Sequence, residues 1–388
     1  MNQMVFGAMG RPQFSELEIK AVREGIDGVK GMIPARCYYD PDIYEYEVEH
    51  ILKKNWLCVG RWDFAKDPGD YFTVRMFGEP VLIIRDRQGE LHALINVCQH
   101  RWAQVMEDGS GHTNLLVCPY HSWTYELDGR LRGVTVQDIP NFDKSTCRMP
   151  ELRLEVWEGF VFVNFDPDAA PLGPQLKGLD ALIGRYGIGS YKFGGRTDYD
   201  TTWNYKFSFE TGYEAYHHEG VHKSILSNTA QYYNPIAFGE IWGAYGGSHP
   251  HMEDRRPEHP FGPPPWLKPE ELDTFEDISI FVAVYPNLIT FMNSHQVTYI
   301  STEFMSVDAN RATTANAFAP WAFDRPNAAQ TMAGQIQMMK DVQDQDTAGC
   351  RMLQNGIRSS FNRRSLVHPL REPQLSHYYS WMLDQYMA

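Results

Sequence analysis

The sequence CQHRWAQVMEDGSGHTNLLVCPYH, residues 98–121, contains two short segments that each combine a cysteine with a histidine. Cys98 and His100 form the first pair, and Cys118 and His121 form the second. Zinc fingers usually pair Cys with Cys and His with His. Two mixed Cys/His loops instead favour a two-iron cluster in which two thiolates bind one iron and two imidazoles bind the other. A zinc site is the alternative for these residues.

The segments that flank the two loops predict short β-strands. Residues 81–84 and 91–95 are apolar, and they enclose the polar turn sequence at 86–89, which is typical of a hairpin. Residues 115–117 lead into the second loop and residues 123–125 lead out of it. Short strands that end in ligand loops would hold a cluster rigidly. We therefore expect a small all-β domain that transfers single electrons.

Composition limits the remaining classes of protein. The chain has 388 residues, of which 43% are hydrophobic and 22% charged, enough for two globular domains. A net charge of −14 disfavours binding to nucleic acid, whose phosphates require a basic surface. The sequence has no apolar stretch long enough to cross a membrane, and residues 1–4 do not resemble a signal peptide. These features predict a cytoplasmic protein.

Two further features concern cysteines and prolines. Six cysteines in a chain of this length do not form a disulfide framework. Those outside the two loops are expected to be buried apolar residues, namely Cys37, Cys58, Cys147 and Cys350. Residues 249–269 contain seven prolines, which exclude a regular helix or a central strand. This segment is predicted to be a long loop, either a lid over a pocket or a surface excursion.

A second group of potential metal ligands lies between residues 203 and 222. On a helix, His217 would lie about 60° to one side of Glu214 and His222 about 80° to the other. A single-turn widening of the helix would bring both imidazoles to one ion. His218 would point away from it, as a surface group or as a support for a ligand. Two histidines still require a carboxylate to complete the 2-His-1-carboxylate arrangement of a ferrous ion.

The carboxylate is expected on a helix near the C-terminus. Residues 327–359 have helical periodicity, and Asp346 falls within its apolar stripe. A lone carboxylate on a buried stripe is costly unless it is paired or bound to a metal. Asp346 is therefore the predicted third ligand, and Asp344 is the first alternative. The stripe itself consists of Met339, Val342, Cys350, Leu353 and Ile357.

Two metal motifs in this order resemble the large (alpha) subunit of the Rieske non-haem iron oxygenases, also called aromatic-ring-hydroxylating oxygenases. The resemblance implies an α+β fold: an all-β Rieske [2Fe-2S] domain, and a catalytic domain whose antiparallel sheet is flanked by helices. We place an N-terminal helical segment at 1–40, the Rieske domain at 41–165 and the catalytic mononuclear iron domain at 166–388. The resemblance also implies a homotrimer in which electrons pass from the cluster of one subunit to the iron of its neighbour.

The resemblance also implies roles for individual residues. Cys98, His100, Cys118 and His121 would bind the [2Fe-2S] cluster, and His217, His222 and Asp346 would bind Fe(II). Glu214 matches the acid that bridges a neighbour's cluster histidine, here His121, to the iron ligand His217. That acid is Asp in the best-known ring dioxygenases. The chain also departs from the family at Trp102 and Ser122, where the two cluster loops often have Gly.

The implied activity is that of a terminal oxygenase. Electrons would come from a separate NAD(P)H-dependent reductase, directly or through a ferredoxin, because no nucleotide-binding glycine motif is present in a strand-to-helix context. With O2, the enzyme would hydroxylate, dihydroxylate or oxidatively dealkylate an apolar, aromatic small molecule. A monooxygenase of a quaternary amine is the alternative, since aromatic walls can hold cations. A Rieske electron carrier without catalysis and a zinc-dependent binding protein are the hypotheses from other classes.

Overall fold

The computed structural model describes residues 10–135, 140–224, 226, 234–247, 270 and 279–388. The proline-rich segment predicted as a possible lid, 249–269, therefore lies outside the described residues. The fold is α+β, as predicted, with antiparallel sheets in both halves of the chain. Among the described residues, no helix has the length and apolar character needed to cross a bilayer.

The strands up to residue 164 form two antiparallel sheets. The larger has the order β1-β10-β9-β4-β3-β2-β5, and the smaller has the order β6-β7-β8. The predicted hairpin is confirmed, because Val81 pairs with Ile95 and Arg85 with Leu91. The strands are β1 (Leu57–Arg61), β2 (Asp70–Met76), β3 (Glu79–Arg85), β4 (Leu91–Ile95), β5 (Ser110–His112), β6 (Leu116–Val117), β7 (Thr124–Tyr125), β8 (Leu131–Gly133), β9 (Glu151–Trp157) and β10 (Phe160–Asn164).

The strands after residue 190 form one sheet with the order β11-β17-β16-β15-β14-β13-β12. Its central strands are almost fully buried, which is expected for a sheet that is covered by helices and by the first domain. The strands are β11 (Lys192–Thr201), β12 (Asn234–Phe238), β13 (Trp242–Gly247), β14 (Ser279–Val284), β15 (Leu288–Met292), β16 (Gln296–Phe304) and β17 (Asn310–Phe318).

Helices from both ends of the chain pack together against the second sheet. Val22 and Ile33 from the N-terminal segment share one apolar core with Tyr378, Met382 and other residues near the C-terminus. The predicted helix at 327–359 is confirmed as the 30-residue helix α6. The helices are α1 (Glu16–Arg23), α2 (Pro41–His50), α3 (Leu172–Gln175), α4 (Leu179–Ile183), α5 (Tyr205–Gly212), α6 (Ala328–Ile357) and α7 (Pro373–Met387).

A buried ion pair joins α2 to α5. Lys206 Nζ donates to Glu47 Oε2 at 2.7 Å, and both side chains are fully buried. The hydroxyl groups of Tyr205 and Tyr386 also donate to Glu47, and the backbone carbonyl of Cys37 accepts from Lys206. These contacts fix α5 in the core, and the second group of predicted ligands follows directly after that helix.

Of the cysteines predicted to be buried and apolar, Cys37, Cys58 and Cys350 are buried, whereas Cys147 is only partly buried. No disulfide joins any of the six cysteines.

Candidate metal centres

The two Cys/His loops have the same backbone conformation. The amide of Trp102 donates to the carbonyl of Cys98 at 2.9 Å, and the amide of Ser122 donates to the carbonyl of Cys118 at the same distance. Each loop turns at a residue with positive φ, +62° at Trp102 and +55° at Ser122. At these two positions the cluster loops of the family that the sequence resembles often have Gly, which adopts this conformation without strain.

The four side chains of these loops converge. Cys98 and Cys118 are each only 1% exposed, and the ring centroids of His100 and His121 lie 4.7 Å apart. The Nδ1 atom of His121 is buried and has no hydrogen-bond partner among the described residues. A buried imidazole nitrogen without a partner is costly, and an iron atom would satisfy it. The donor set of two thiols and two imidazoles therefore fits a [2Fe-2S] cluster.

Two aromatic residues next to the loops support this arrangement, and their roles were not predicted from the sequence. The Tyr125 hydroxyl lies 3.2 Å from the Sγ atom of Cys98 and accepts a hydrogen bond from the amide of Gln99. The Trp123 indole stacks on the His100 ring with a centroid distance of 4.9 Å. Both residues belong to the segment 123–125, which follows the second loop. This one short segment therefore holds the first loop in place.

The segment with the predicted iron ligands is not the continuous helix that the sequence suggested. Helix α5 ends at Gly212, and a 3₁₀ turn follows at Tyr216–Glu219. The Glu214 carboxylate causes this break, because its Oε2 atom accepts hydrogen bonds from the amides of Tyr216 and His217. A side chain that binds the following amides competes with helical hydrogen bonding. The predicted widening of a helix is therefore wrong; a tight turn brings the ligands together instead.

His217, His222 and Asp346 meet at one point. Asp346 Oδ1 lies 2.8 Å from the Nε2 atom of His222 and 3.4 Å from the Nε2 atom of His217. The His222 Nε2 and Asp346 Oδ1 atoms are both buried, and neither has a well-aligned hydrogen bond. A cation bound between these two buried atoms would give each of them the partner that it lacks. The site therefore fits a ferrous ion with open coordination positions.

The other ring nitrogen of each histidine is held by a hydrogen-bond acceptor. His217 Nδ1 lies 2.5 Å from Glu214 Oε1, and His222 Nδ1 lies 2.7 Å from Gln345 Oε1. Because both acceptors are oxygen atoms, each Nδ1 carries a proton, and each Nε2 faces the point where a metal would bind. The sequence analysis missed Gln345, although its place next to Asp346 on α6 could have indicated it.

The charges at this site are strongly coupled. Burial disfavours the charged form of His217, but the neighbouring carboxylates of Asp346 and Glu214 outweigh it and raise the pKa of His217 to about 10. Burial likewise favours the neutral form of Asp346, but its contacts with His217 and His222 lower the pKa of Asp346 to about 2. The carboxylate is thus anionic at neutral pH and attracts a positive charge to this point.

The structure distinguishes the alternatives for the third ligand. Asp344 is exposed on α6 and forms an ion pair with Lys340 at 2.7 Å, so it cannot reach the histidines. Asp346 is buried on the same helix. The apolar stripe was misplaced at one position, because Leu353 is 46% exposed whereas Gln354 is buried. Gln354 is oriented inwards because its side chain accepts a hydrogen bond from the amide of Asn204.

Of the two roles predicted for His218, a surface group or a support for a ligand, the structure excludes the first, because the side chain turns inwards. It is only 7% exposed, and its ring centroid lies 4.7 Å from that of His217 and 5.4 Å from that of His222. The ligand nitrogens of His217, His218 and His222 all lie within 4.8 Å of one another. The reason is the 3₁₀ turn, whose tighter geometry rotates His218 inwards relative to an α-helix. A set of three histidines is thus the alternative to the set that includes Asp346.

Comparison with known proteins places the chain in a family. The Rieske [2Fe-2S] domain family matches residues 55–143, and the family described as ring hydroxylating alpha subunit (catalytic domain) matches residues 188–388. The chain therefore belongs to the ring-hydroxylating alpha subunits, whose members combine a Rieske [2Fe-2S] domain with a catalytic non-haem iron domain. The resemblance seen in the sequence is confirmed.

Individual relatives align over part of their length. The carnitine monooxygenase oxygenase subunit of Escherichia coli (strain K12) is 38% identical over 152 residues, which are 39% of this chain and 41% of that protein. The anthranilate 1,2-dioxygenase large subunit of Acinetobacter baylyi is 32% identical over 209 residues, 52% of this chain and 44% of that protein. The chain thus spans less than half the length of these curated relatives.

A solved quaternary ammonium Rieske monooxygenase is similar over almost the whole chain. Its structure superposes with a TM-score of 0.81 at 23% identity, and the match covers 97% of this chain and 100% of that one. At this level of identity the similarity shows a shared fold.

Proposed function

We propose that this chain is the terminal oxygenase of a multicomponent Rieske oxygenase, which oxidises a small organic molecule with O2. The observation that carries the proposal is that His217 Nε2 and His222 Nε2 each lie within 3.4 Å of Asp346 Oδ1, in a chain that also has two converging Cys/His loops. A Rieske electron carrier would require the loops alone, and a zinc-binding protein would not require a second site with this donor set.

In this proposal, Cys98, His100, Cys118 and His121 hold a [2Fe-2S] cluster. His217, His222 and Asp346 hold one Fe(II). When bound, the cluster supplies single electrons and the ferrous ion supplies open positions for dioxygen. The protein residues orient these groups. The backbone turn at Glu214 positions His217, and the side chain of Gln345 positions His222, so that both imidazoles present Nε2 to the same point.

Glu214 is the group through which electrons would reach this site. Its carboxylate is 7% exposed and already binds His217 Nδ1. We infer that a cluster histidine of a second copy, His121, binds the same carboxylate in a homotrimer. The longer Glu side chain, in place of Asp, is compatible with this role because its Oε2 atom is anchored to two backbone amides. The electron source would be a separate NAD(P)H-dependent reductase, directly or through a ferredoxin.

For the substrate, a quaternary amine is the first candidate. The relative with 38% identity acts on carnitine, and the solved structure with similar fold is a quaternary ammonium monooxygenase. An aromatic substrate, which the sequence analysis preferred, is the second candidate because the anthranilate dioxygenase subunit is 32% identical. The aromatic side chains that flank the iron-binding segment do not decide between the two classes, because they are all buried in core clusters: Phe207, Phe209, Tyr213, Trp242 and Tyr245.

The proposal is tested by oxygen consumption that is coupled to product. The iron-loaded protein is supplied with a reductase or a chemical reductant and is offered carnitine, glycine betaine, anthranilate and benzoate separately. We expect one product molecule for each O2 consumed with a compound of one of the two classes. Oxygen uptake that yields only peroxide with every compound would contradict the proposed substrates. Oxygen uptake that is absent even with a loaded cluster and iron would contradict the oxygenase assignment.

A further inference from the structure

A contiguous group of buried aromatic rings begins next to the iron-binding segment. The centre of the Tyr213 ring lies 6.1 Å from that of Tyr285. The Tyr285 ring in turn lies 5.3 Å from Tyr378 and 5.2 Å from Trp381. None of the four side chains is more than 6% exposed. We call them the tyrosine–tryptophan group. Because phenol and indole rings can lose one electron to a strong oxidant, this group can carry charge as well as fill the core.

The inner end of the tyrosine–tryptophan group is connected to the proposed iron ligands. Tyr213 directly precedes Glu214 in the chain, and Glu214 Oε1 lies 2.5 Å from the Nδ1 atom of His217. A short covalent segment and one hydrogen bond therefore join the first ring of the group to an iron ligand. Since the rate of electron tunnelling falls steeply with distance, Tyr213 is well placed to pass an electron to the iron site.

The outer end of the group is a hydrogen bond between a phenol and a base. The Tyr285 hydroxyl lies 2.8 Å from the Nδ1 atom of His377, whose half-buried ring stacks at 4.7 Å on the exposed ring of Phe238. Burial lowers the pKa of His377, and the charge of Lys30 lowers it further. The imidazole is thus neutral at neutral pH and can accept the hydroxyl proton. A phenol that loses an electron becomes a strong acid, so a base in contact with it makes its oxidation easier.

Two other buried tyrosines contact acids that are not free to take up a proton in this way. The Tyr38 hydroxyl donates to Glu210 at 2.6 Å, but burial raises the pKa of Glu210 to about 8, so this carboxyl group already carries a proton at neutral pH. The Tyr205 hydroxyl donates to Glu47, whose charge is compensated by Lys206. The phenol–imidazole pair differs from both because its base is neutral and unprotonated.

We propose that the tyrosine–tryptophan group removes an oxidising equivalent from the iron site when substrate is absent, with Tyr285 as the residue that is oxidised and His377 as the acceptor of its proton. The inference rests on the proposed function, because its oxidant is the hydrogen peroxide that uncoupled reduction of O2 produces at the iron site.

The proposed step balances as follows in electrons and protons. Of the two electrons that reduce hydrogen peroxide, one comes from the ferrous ion and the other from Tyr285 by way of Tyr213. The phenolic proton moves to His377 Nδ1, two protons from solvent complete the formation of two water molecules, and Tyr285 remains as a neutral phenoxyl radical. Ascorbate or a thiol in solution then returns one electron and His377 returns the proton, which restores the tyrosine.

The test is electron paramagnetic resonance (EPR) of the iron-loaded protein without substrate. The cluster is kept oxidised, a state without an EPR signal, and the protein is mixed with hydrogen peroxide and rapidly frozen. We expect a tyrosyl radical in the wild type, with a narrower signal when the protein contains ring-deuterated tyrosine. In His377→Gln the radical yield should fall by about ten-fold or more, because the base is missing although Tyr285 remains. Tyr285→Phe should remove the signal.

Tyr191→Phe is the matched control. Tyr191 is also buried, but its hydroxyl donates to the backbone carbonyl of Ser294 at 2.8 Å, and a carbonyl cannot take up the proton. This variant should give the wild-type radical yield. The visible absorption of the cluster shows whether each variant is folded.

A second measurement examines protection of the iron site. After repeated additions of hydrogen peroxide, mass spectrometry should find more oxidised side chains within residues 214–222 in His377→Gln than in the wild type. Equal damage in the two proteins would overturn the inference, and so would a radical that persists at full yield in both His377→Gln and Tyr285→Phe.

Iron content and peroxide consumption, measured on every sample, separate this inference from the proposed function. A wild type that binds iron and consumes peroxide without forming a tyrosyl radical would overturn the inference and leave the proposed function standing. A wild type that binds no mononuclear iron would contradict the proposed function and the inference together.

Discussion

Replacement of Asp346 by Asn should remove the ferrous ion while the cluster remains. Asp346 is the only anionic group among the three that converge, and its Oδ1 atom lies within 3.4 Å of both histidine Nε2 atoms. Asn has almost the same shape, so the effect reports the lost charge rather than a cavity. Loss of residues that merely support metal ligands reduces metal affinity by about 10–100-fold. Loss of a direct anionic ligand should therefore cost at least about 100-fold, or about 2.8 kcal/mol.

The assay is titration of the protein with Fe(II) under anaerobic conditions, with iron content measured after gel filtration. The visible absorption of the cluster serves as an internal standard for folded protein. Asp344→Asn is the matched control, since Asp344 lies two residues away on the same helix but pairs with Lys340 at the surface. It should bind Fe(II) like the wild type. If Asp346→Asn retained its iron and His218→Gln lost it, the carboxylate ligand would be refuted in favour of three histidines.

Three further substitutions test other parts of the structure. Glu214→Gln should leave both metals bound but slow reoxidation of the reduced cluster by about 10-fold or more, measured by stopped-flow absorption; wild-type rates would remove the bridging role. Lys206→Met should lower the free energy of unfolding by about 3–5 kcal/mol in urea, because it leaves the buried Glu47 carboxylate without its cation; a change below about 1 kcal/mol would contradict this. Burial lowers the pKa of His92, but hydrogen bonds to two carboxylates outweigh it and raise that pKa above 6.5. The stabilisation that His92 provides is complete below pH 6.5 and is lost as the pH rises through the raised pKa. The difference in free energy of unfolding between the wild type and His92→Gln, measured in urea, should therefore decrease with increasing pH.

Features that depend on local sequence were predictable. The β3–β4 hairpin and helix α6 follow from apolar periodicity and turn residues, which the tertiary structure does not override. The convergence of the two Cys/His loops could be predicted because both loops end short strands of one small domain. Asp346 could be selected over Asp344 because a difference of two residues on a helix places the side chains on different faces.

Features that depend on a single side chain's hydrogen bonds were not predictable. The spacing of ligands from Glu214 to His222 predicted a helix, but the Glu214 carboxylate accepts hydrogen bonds from the amides of Tyr216 and His217, and a 3₁₀ turn forms there instead. The same turn also orients the His218 side chain towards the interior. Gln354 replaces Leu353 in the buried stripe because of a hydrogen bond to Asn204, 150 residues away in sequence. Such contacts form only when distant parts of the chain meet.

One chain should hold both an electron-transfer cluster and a separate mononuclear iron. Iron and acid-labile sulfide, measured on the same sample of anaerobically reconstituted protein, test this most directly. We predict about three irons and two sulfides per chain, falling to about two irons and two sulfides in the Asp346→Asn protein. About two irons and two sulfides in the wild type, or zinc in place of iron, would contradict the claim.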